Sequence, residues 1–216
     1  ISSCTSVIEV VDNENPFARC GGPINVVLDA NGLATVPAFN LNATLPSAPS
    51  SDNCAIASFL INDQAIDTFD CSMLNNNTAV LTVTDVSGNT DTCHAIVNVS
   101  DNTPPTASCQ FTTSLTLDGT GQISIAASSL VISSSDNCGI DSILGNGQNT
   151  LTFTCADIGN NLITVSVLDS SGNTFVCNSI ISIADSIPPI AICSLNAIPA
   201  YLNAASYVYV TALDID

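Results

Sequence analysis

The side chains with the clearest chemical potential in this 216-residue sequence are ten cysteines and a recurring set of aspartates. Cysteine thiolates can bind zinc, but zinc sites need closely spaced cysteines or Cys/His pairs. The sequence contains no C-x-x-C motif and a single histidine, His94. An even number of widely and regularly spaced cysteines instead predicts disulfides, and therefore an oxidising, extracellular setting.

Catalytic chemistry finds little support in the sequence. His94 directly follows Cys93, and neighbours on a strand point to opposite faces, so the two cannot act as a nucleophile and its base. The stretch GNGQN at 145–149 predicts a hairpin turn and not a phosphate-binding loop. Paired acids for glycoside hydrolysis would need a cleft, which short repeated strands do not offer. We therefore predict a non-enzymatic chain with no catalytic residues.

The charge balance restricts the partners of the chain. It has one basic residue, Arg19, against 19 acids, which gives a net charge of −18. Nucleic acids and anionic membranes need lysine or arginine to neutralise phosphate, so neither is an expected partner. With 46% hydrophobic and only 9% charged residues, the chain should fold, unlike a disordered acidic tail. No apolar run approaches the roughly 18 residues of a membrane span, so we expect no membrane insertion.

The spacing of the cysteines reveals an internal repeat. The motif SSDNC at 50–54 returns 84 residues later at 134–138, and a shift of 89 relates the cysteines at the beginning of the chain to later ones. The chain is therefore predicted to be a segment of a tandem array. Its expected parts are the last strand of a preceding repeat (1–14), two whole repeats (15–101 and 102–185) and the start of a further, incomplete repeat (186–216).

Each repeat has the pattern of short β-strands. AVLTVTD (79–85) alternates apolar and polar residues with period two, as does the strand after the SGN turn. The segments INVVLDANGLATV and SLTLDGTGQISIA each predict a hairpin around a glycine-bearing turn. Seven or so strands in about 85 residues are typical of an immunoglobulin-like sandwich. The predicted fold is all-β, with tandem immunoglobulin-like sandwich repeats of period 84–89.

This sandwich leads to a disulfide prediction. Its first and last strands run parallel and begin at one pole, which favours Cys20–Cys93 and Cys109–Cys177. By elimination Cys54–Cys71 and Cys138–Cys155 follow, each closing a short loop. A rival scheme joins neighbouring cysteines across each linker and leaves none unpaired, but it must bridge a whole last strand, roughly 25 Å against a Cα limit near 7 Å. The rival pairs are Cys4–Cys20, Cys93–Cys109 and Cys177–Cys193.

The recurring aspartates make one pole of each repeat a candidate Ca²⁺ site. The linker, the loop after the second strand and the last hairpin all meet there. Three carboxylates brought together repel one another, and Ca²⁺ accepts six to eight oxygen ligands of this kind. The alternative is that aspartates only make ordinary turns with their own backbone. The candidate ligands are Asp101, Asp136 and Asp169 in the second repeat, and Asp12, Asp52 and Asp85 in the first.

Four motifs resemble a known repeat family: S-S-D-N-C-G-I, F-x-C, T-x-T-D-x-S-G-N-T and the D-x-x-P-P linker. Together they are similar to the HYR-like (hyalin-type) repeats of large bacterial cell-surface adhesins, of the SprB gliding-motility type in the Bacteroidetes. The resemblance covers the whole chain. It implies a very long secreted or surface-anchored parent, exported by the type 9 secretion system. It also makes D-S-I at 141 and 185 a candidate O-glycosylation pattern, with Ser142 and Ser186 as the acceptors.

The functional hypothesis is a structural and adhesive segment of a long extracellular stalk or filament at the cell surface. Its expected partners are the neighbouring repeats of the same chain, with surface polysaccharide and other filament chains as further candidates. Two alternatives stay open. The chain could be a polysaccharide-binding module, or an accessory domain of a larger secreted enzyme.

Overall fold

The computed structural model describes residues 3–44, 47–190 and 204 of this chain, and almost all of its regular structure is β. The first set of strands lies between residues 24 and 100, with short 3-10 helices at Ala38–Leu41 and Cys71–Met73. Its strands are β1 (Ile24–Val27), β2 (Leu33–Pro37), β3 (Ile56–Ile61), β4 (Ile66–Asp70), β5 (Asn75–Asp85) and β6 (Thr90–Ser100).

The second set lies between residues 106 and 184, with 3-10 helices at Ala127–Leu130 and Cys155–Asp157. Its strands are β7 (Thr106–Cys109), β8 (Thr112–Thr116), β9 (Gln122–Ala126), β10 (Val131–Ser135), β11 (Ile140–Gly145), β12 (Thr150–Thr154), β13 (Gly159–Asp169) and β14 (Thr174–Ala184). We refer to the two sets as the first and second repeats.

Both repeats are sandwiches with the same topology. One sheet has the order β1-β6-β5-β3 in the first repeat and β8-β14-β13-β11 in the second. The opposing layer is formed by β2-β4 in the first repeat, and by β9-β12 together with β7-β10 in the second. In each repeat an early strand pairs in parallel with the last strand, β1 with β6 and β8 with β14. The prediction of an all-β, immunoglobulin-like sandwich is confirmed.

The long hairpin of each repeat supplies most of its core, as the period-two alternation predicts. In β5, Ala79, Leu81 and Val83 are fully buried. In β14, Ile181 and Ile183 are buried in the same way. Burying a Val, Leu or Ile side chain contributes about 1.5–3 kcal/mol. These inward faces therefore hold the two layers of each sandwich together.

The predicted hairpins at 24–36 and 114–126 are wrong in their pairing, although their turns form. The backbone NH of Gly32 donates to the carbonyl of Asp29, and Gly32 has a φ of 74° that favours glycine. After this turn, β1 pairs with β6 whereas β2 pairs with β4. The chain thus crosses from one sheet to the other. Two amphipathic strands can bury their apolar faces as neighbours in one sheet or by facing each other across the core, and β1 and β2 do the second.

Two disulfides lie within the repeats and match the pairs expected from the parallel first and last strands. Cys20 is bonded to Cys93 with a Cα–Cα distance of 5.7 Å, and Cys109 to Cys177 with 6.5 Å. The rival scheme needs Cys93 and Cys177 for other partners, so it is excluded. Cys193 lies outside the described residues.

The third disulfide corrects the other half of the prediction. Cys71 of the first repeat is bonded to Cys138 of the second, with a Cα–Cα distance of 5.3 Å. The expected pairs Cys54–Cys71 and Cys138–Cys155 are therefore wrong, and Cys54 and Cys155 are exposed and unpaired.

The reason is the path of the chain between β3 and β4. At the beginning of β3, Ile56 lies opposite Asp85, near the linker that enters the repeat. At the end of β4, Asp70 lies opposite Leu33, beside the turn that faces the next repeat. The two strands belong to different sheets and run in the same direction. Cys54, before β3, and Cys71, after β4, consequently lie at opposite poles of the repeat.

Candidate metal centres at the repeat junctions

Three aspartates from three separate segments meet where the second repeat begins. Asp101 directly follows β6, the last strand of the first repeat, Asp136 lies between β10 and β11, and Asp169 ends β13. Each contributes a carboxylate oxygen, and these oxygens lie within 4.8 Å of one another. Asp101 and Asp169 are only 4% and 3% exposed. The expected convergence at this pole therefore occurs, and we call these three residues the junction cluster.

The hydrogen bonds of the junction cluster satisfy part of its oxygens. Asp101 Oδ1 accepts from the backbone NH of Thr103 at 3.0 Å and from the side-chain amide of Asn137 at 3.1 Å. Asp136 Oδ1 accepts from the backbone NH of Cys138 at 2.8 Å. The two backbone contacts are the ordinary turn chemistry of aspartate, whereas Asn137 reaches Asp101 from a separate segment. One side of each carboxylate therefore shapes the local backbone.

The second oxygen of Asp169 accepts from the side-chain amide of Asn173 at 2.7 Å, but those of Asp101 and Asp136 have no hydrogen-bond partner. Asp101 Oδ2 and Asp136 Oδ2 are buried and unpaired, as is Asn137 Oδ1 beside them. Leaving a buried polar atom unsatisfied costs about 1–3 kcal/mol, and more for a charged group. Buried charges in proteins are normally paired or coordinate a metal. Turn formation alone leaves these oxygens unexplained, whereas a hard cation would bind them.

The chain has no cationic side chain that could neutralise the junction cluster. Arg19 is the only lysine or arginine of the sequence. It lies in the first repeat, with its guanidinium carbon 4.9 Å from the centre of the Phe17 ring. The second repeat therefore contains no basic residue with which an aspartate could form an ion pair.

The first repeat has an equivalent arrangement. Asp12 and Asp52 lie within 4.8 Å of each other together with the Cys54 thiol. Asp12 Oδ2 and Asp52 Oδ1 are again buried without a partner. Asp85 lies close by, because the Asn89 side chain donates both to Asp85 Oδ2 at 2.7 Å and to the Asp12 carbonyl at 3.2 Å. All six predicted ligands thus lie at the expected poles, although Cys54 takes the place of Asp85 in the first set.

Hydrogen bonds shift the pKa of groups at this first site. The pKa of Asp12 is lowered, chiefly because it accepts from the backbone NH of Glu14. Burial acts to raise the pKa of Asp85, but hydrogen bonds from residues 87–89 outweigh it and lower that pKa. The neighbouring Asp12 carboxylate, reinforced by burial and by the other carboxylates nearby, raises the pKa of the Cys54 thiol. At neutral pH these carboxylates are ionised and the thiol is protonated.

A groove gives access to the junction cluster. It has a volume of about 280 Å³ and is lined by Thr103, Asp136 and Asn137 of the second repeat together with Ala30 of the first. Both repeats therefore form its walls. A hydrated cation could reach Asp136 of the cluster by this route.

The proposed glycosylation acceptors lie in different environments. Ser142 is half-buried on β11, beside a groove of about 600 Å³ that Asp141 also lines. Ser186 is exposed in the segment after β14. Neither position touches the junction cluster. The role of Gly32 at the junction was not predicted, although the D-x-x-G turn recurs at 29–32 and 118–121 and could have indicated it.

No family model matches the chain, and no curated protein matches it. Among solved structures, it is similar to fibronectin(III)-like modules of Clostridium thermocellum CbhA, with 12% identity over 82% of this chain and 94% of that one, at a TM-score of 0.30. A fragment with the N-terminal four Ig domains of Dscam1 gives 9% identity, 83% and 48% coverage and a TM-score of 0.40.

The protocadherin GammaB4 extracellular domain is a third similar structure, with 13% identity over 80% of this chain and 32% of that one, at a TM-score of 0.38. The chain thus spans about half of the Dscam1 fragment and a third of the protocadherin one. In residues 3–44 and 47–190, no helix is long and apolar enough to cross a membrane. The three disulfides are typical of an extracellular domain.

Proposed function

We propose that this chain is a non-catalytic structural segment of a long extracellular stalk or filament at the cell surface, made of HYR-like repeats of the gliding-motility adhesin type. The observation that carries the proposal is the covalent bond between successive repeats, Cys71–Cys138. A bond between repeats restrains their relative orientation and transmits tension along the chain. A module that only binds a ligand within one sandwich would not need it.

Other contacts at the junction support the same function. The Asn137 side-chain amide donates to the carbonyl of Asp29 in the first repeat at 3.0 Å. The Asn173 side chain donates to the carbonyl of Asp101 in the linker, also at 3.0 Å. Pro105 of the linker is fully buried, and proline fixes its own φ. The linker is therefore expected to be stiff and not a flexible connection between the repeats.

We further propose that Ca²⁺ binds the junction cluster and stiffens the joint. The buried, unpaired oxygens of Asp101 and Asp136 support this, as does the absence of any lysine or arginine from the second repeat. Ca²⁺ prefers such oxygen ligands. A bound cation would restrain the joint from its linker side, in addition to the restraint that the disulfide provides.

Thermal unfolding of the chain in Ca²⁺ and in chelator tests the metal site. A ligand at about 100 times its Kd stabilises the native state by about 2.7 kcal/mol, so the melting temperature should rise with Ca²⁺. Asp136→Asn keeps an acceptor for the Cys138 backbone NH but removes the charge, and should reduce the rise. Asp118→Asn, in a turn outside the cluster, is the matched control. Identical curves with Ca²⁺ and chelator would mean that the aspartates only make turns.

The stalk function itself is tested by pulling single molecules from their two ends. In a chain whose internal pairs Cys20–Cys93 and Cys109–Cys177 are replaced by serine, the Cys71–Cys138 bond should reduce the length released on unfolding relative to the same chain with Cys71→Ser/Cys138→Ser, because the bond then shields the segment between positions 71 and 138 from extension. Equal released lengths in oxidised and double-variant chains would contradict a mechanical role for the bond.

A further inference from the structure

The two unpaired cysteines of the described repeats are the repeat equivalents of the two that are bonded across the junction. Cys155 corresponds to Cys71, since each follows the β4-type strand and begins a 3-10 helix. Cys54 corresponds to Cys138, since each ends an SSDNC motif. Both Cys54 and Cys155 are exposed. Each repeat therefore carries one cysteine of each type, at opposite poles.

The surroundings of Cys155 are arranged as they are around Cys71. The Cys155 Sγ lies 3.7 Å from the carbonyl of Gly121, and the Cys71 Sγ lies 3.7 Å from the carbonyl of Gly32. The two glycines have φ values of 75° and 74°. The thiol of Cys155 is thus held in the position from which Cys71 makes its bond.

The SSDNC loop of the second repeat packs against Gly32 beside Cys71, and the equivalent space beside Cys155 is open. A Cβ on Gly32 would lie 2.7 Å from Cys71 Sγ and 2.8 Å from the carbonyl oxygen of Asn137, which belongs to the next repeat. A Cβ on Gly121 would meet only Cys155 Sγ, at 2.9 Å. The second glycine therefore leaves room for an approaching SSDNC loop that the described residues do not contain.

We propose that Cys155 forms a disulfide with the SSDNC cysteine of a following repeat, and Cys54 with the Cys71-type cysteine of a preceding one. This inference rests on the proposed array of further repeats. Each repeat would then be bonded to both of its neighbours. The result is a continuous ladder of inter-repeat disulfides, in parallel with the internal disulfide of each sandwich.

Each bond of the ladder forms by thiol–disulfide exchange. A thiolate attacks a small-molecule disulfide or the disulfide of an oxidoreductase, and the mixed disulfide is then attacked by the second protein thiolate. One sulfur–sulfur bond forms in the protein and one breaks in the oxidant. The two protein thiols lose two protons and two electrons, and the oxidant is released as two thiols.

The test is an extended chain in which a copy of residues 13–101 directly follows Asp185, folded in a glutathione redox buffer. Cleavage before aspartate places Cys155 alone in the peptide 141–156, and the SSDNC cysteine of the copy alone in a peptide equivalent to 52–62. Mass spectrometry without reduction should find these two peptides linked, also when the chain's own Cys54 is replaced by serine so that only the copy supplies this peptide. We expect Cys155 to be fully alkylated in the original chain and not in the extended chain. Cys155→Ser should remove the linked species.

A mirrored chain, with residues 102–185 placed directly before Asn13, tests Cys54 in the same way. The ladder is overturned if the added repeats form their internal disulfides and Cys71 is bonded to Cys138, yet Cys155 and Cys54 are still alkylated. If neither added repeat forms its internal disulfide, the modular array is overturned, and the ladder with it. The two failures are therefore distinguished in one digest.

Discussion

Removing the bond between Cys71 and Cys138 should destabilise the protein as much as removing a bond inside a repeat. The two bonded residues are 67 positions apart. In the loop-entropy model, a crosslink over this length removes about 4 kcal/mol of entropic stabilisation from the unfolded chain. The Cys71→Ser/Cys138→Ser double variant regains that entropy without leaving a reactive thiol at either position.

The chain provides a matched control. Cys109 and Cys177, bonded within the second repeat, are 68 positions apart, so their double serine variant should lose nearly the same free energy of unfolding. Urea unfolding followed by circular dichroism measures both. At an m-value of about 2 kcal/mol per M, each loss corresponds to a midpoint shift of about 2 M.

The two variants should differ in where the stability is lost. Hydrogen exchange should show weaker protection of β5 and β6 in the inter-repeat variant, because the bond ties the first repeat to the second. The control should weaken only strands of the second repeat. A midpoint shift below about 0.5 M for the inter-repeat variant, or a free Cys71 thiol in the oxidised wild-type protein, would refute this account of the junction.

Three further predictions follow from the described contacts. Leu81→Ala should lower the free energy of unfolding by about 2–5 kcal/mol, measured in urea, because Leu81 is completely buried. Maleimide at neutral pH should label Cys155 faster than Cys54, because Asp12 raises the pKa of the Cys54 thiol. Asp12→Asn should narrow the difference between the two labelling rates. The Thr120 hydroxyl, with nearby backbone NH groups, lowers the pKa of Asp118 below its ordinary value of 3.8. The stability from Asp118 is therefore present above that value and lost as pH falls through the lowered pKa. A carboxyl ¹³C titration that places the pKa of Asp118 above 3.8 would contradict this.

Local features of the fold follow from the sequence where one interaction decides them. The β5–β6 hairpin is predictable, because strict alternation fixes which face is buried and the SGN turn fixes the register. Whether β1 and β2 pair with each other cannot be predicted in this way. The same alternation suits strands that pair side by side and strands that face each other across the core. Only the choice of β6 as the partner of β1 separates the two arrangements.

The disulfides show a second limit of sequence reasoning. In a chain with a period of 84, every position has equivalents in the other repeats, so spacing cannot distinguish Cys54 from Cys138 as the partner of Cys71. The direction of β4 makes the choice, and this depends on the chain crossing between sheets after β3. The junction cluster was predictable because three loops converge at one pole in any such sandwich. Which of the carboxylate oxygens are unpaired was not, because it depends on individual hydrogen bonds.

The disulfide and the proposed Ca²⁺ site should be thermodynamically coupled. Asp136 and Cys138 lie in one loop, and the backbone NH of Cys138 donates to Asp136 at 2.8 Å. Bonding Cys138 to Cys71 therefore also fixes the loop that presents Asp136 to the cluster. Loss of the bond should leave this loop less ordered before Ca²⁺ binds. The conformational entropy lost when the loop becomes ordered would then weaken Ca²⁺ binding.

We expect the Cys71→Ser/Cys138→Ser variant to bind Ca²⁺ at least about fivefold more weakly than the wild type, the lower end of typical coupling between sites. Isothermal titration calorimetry measures this directly. Linkage requires the reverse effect of equal size, so Ca²⁺ should shift the equilibrium of the Cys71–Cys138 bond with glutathione toward the disulfide by the same factor. The Cys109→Ser/Cys177→Ser variant controls for general destabilisation. Equal Ca²⁺ affinities in the wild type and the inter-repeat variant would mean that the two restraints act on the joint independently.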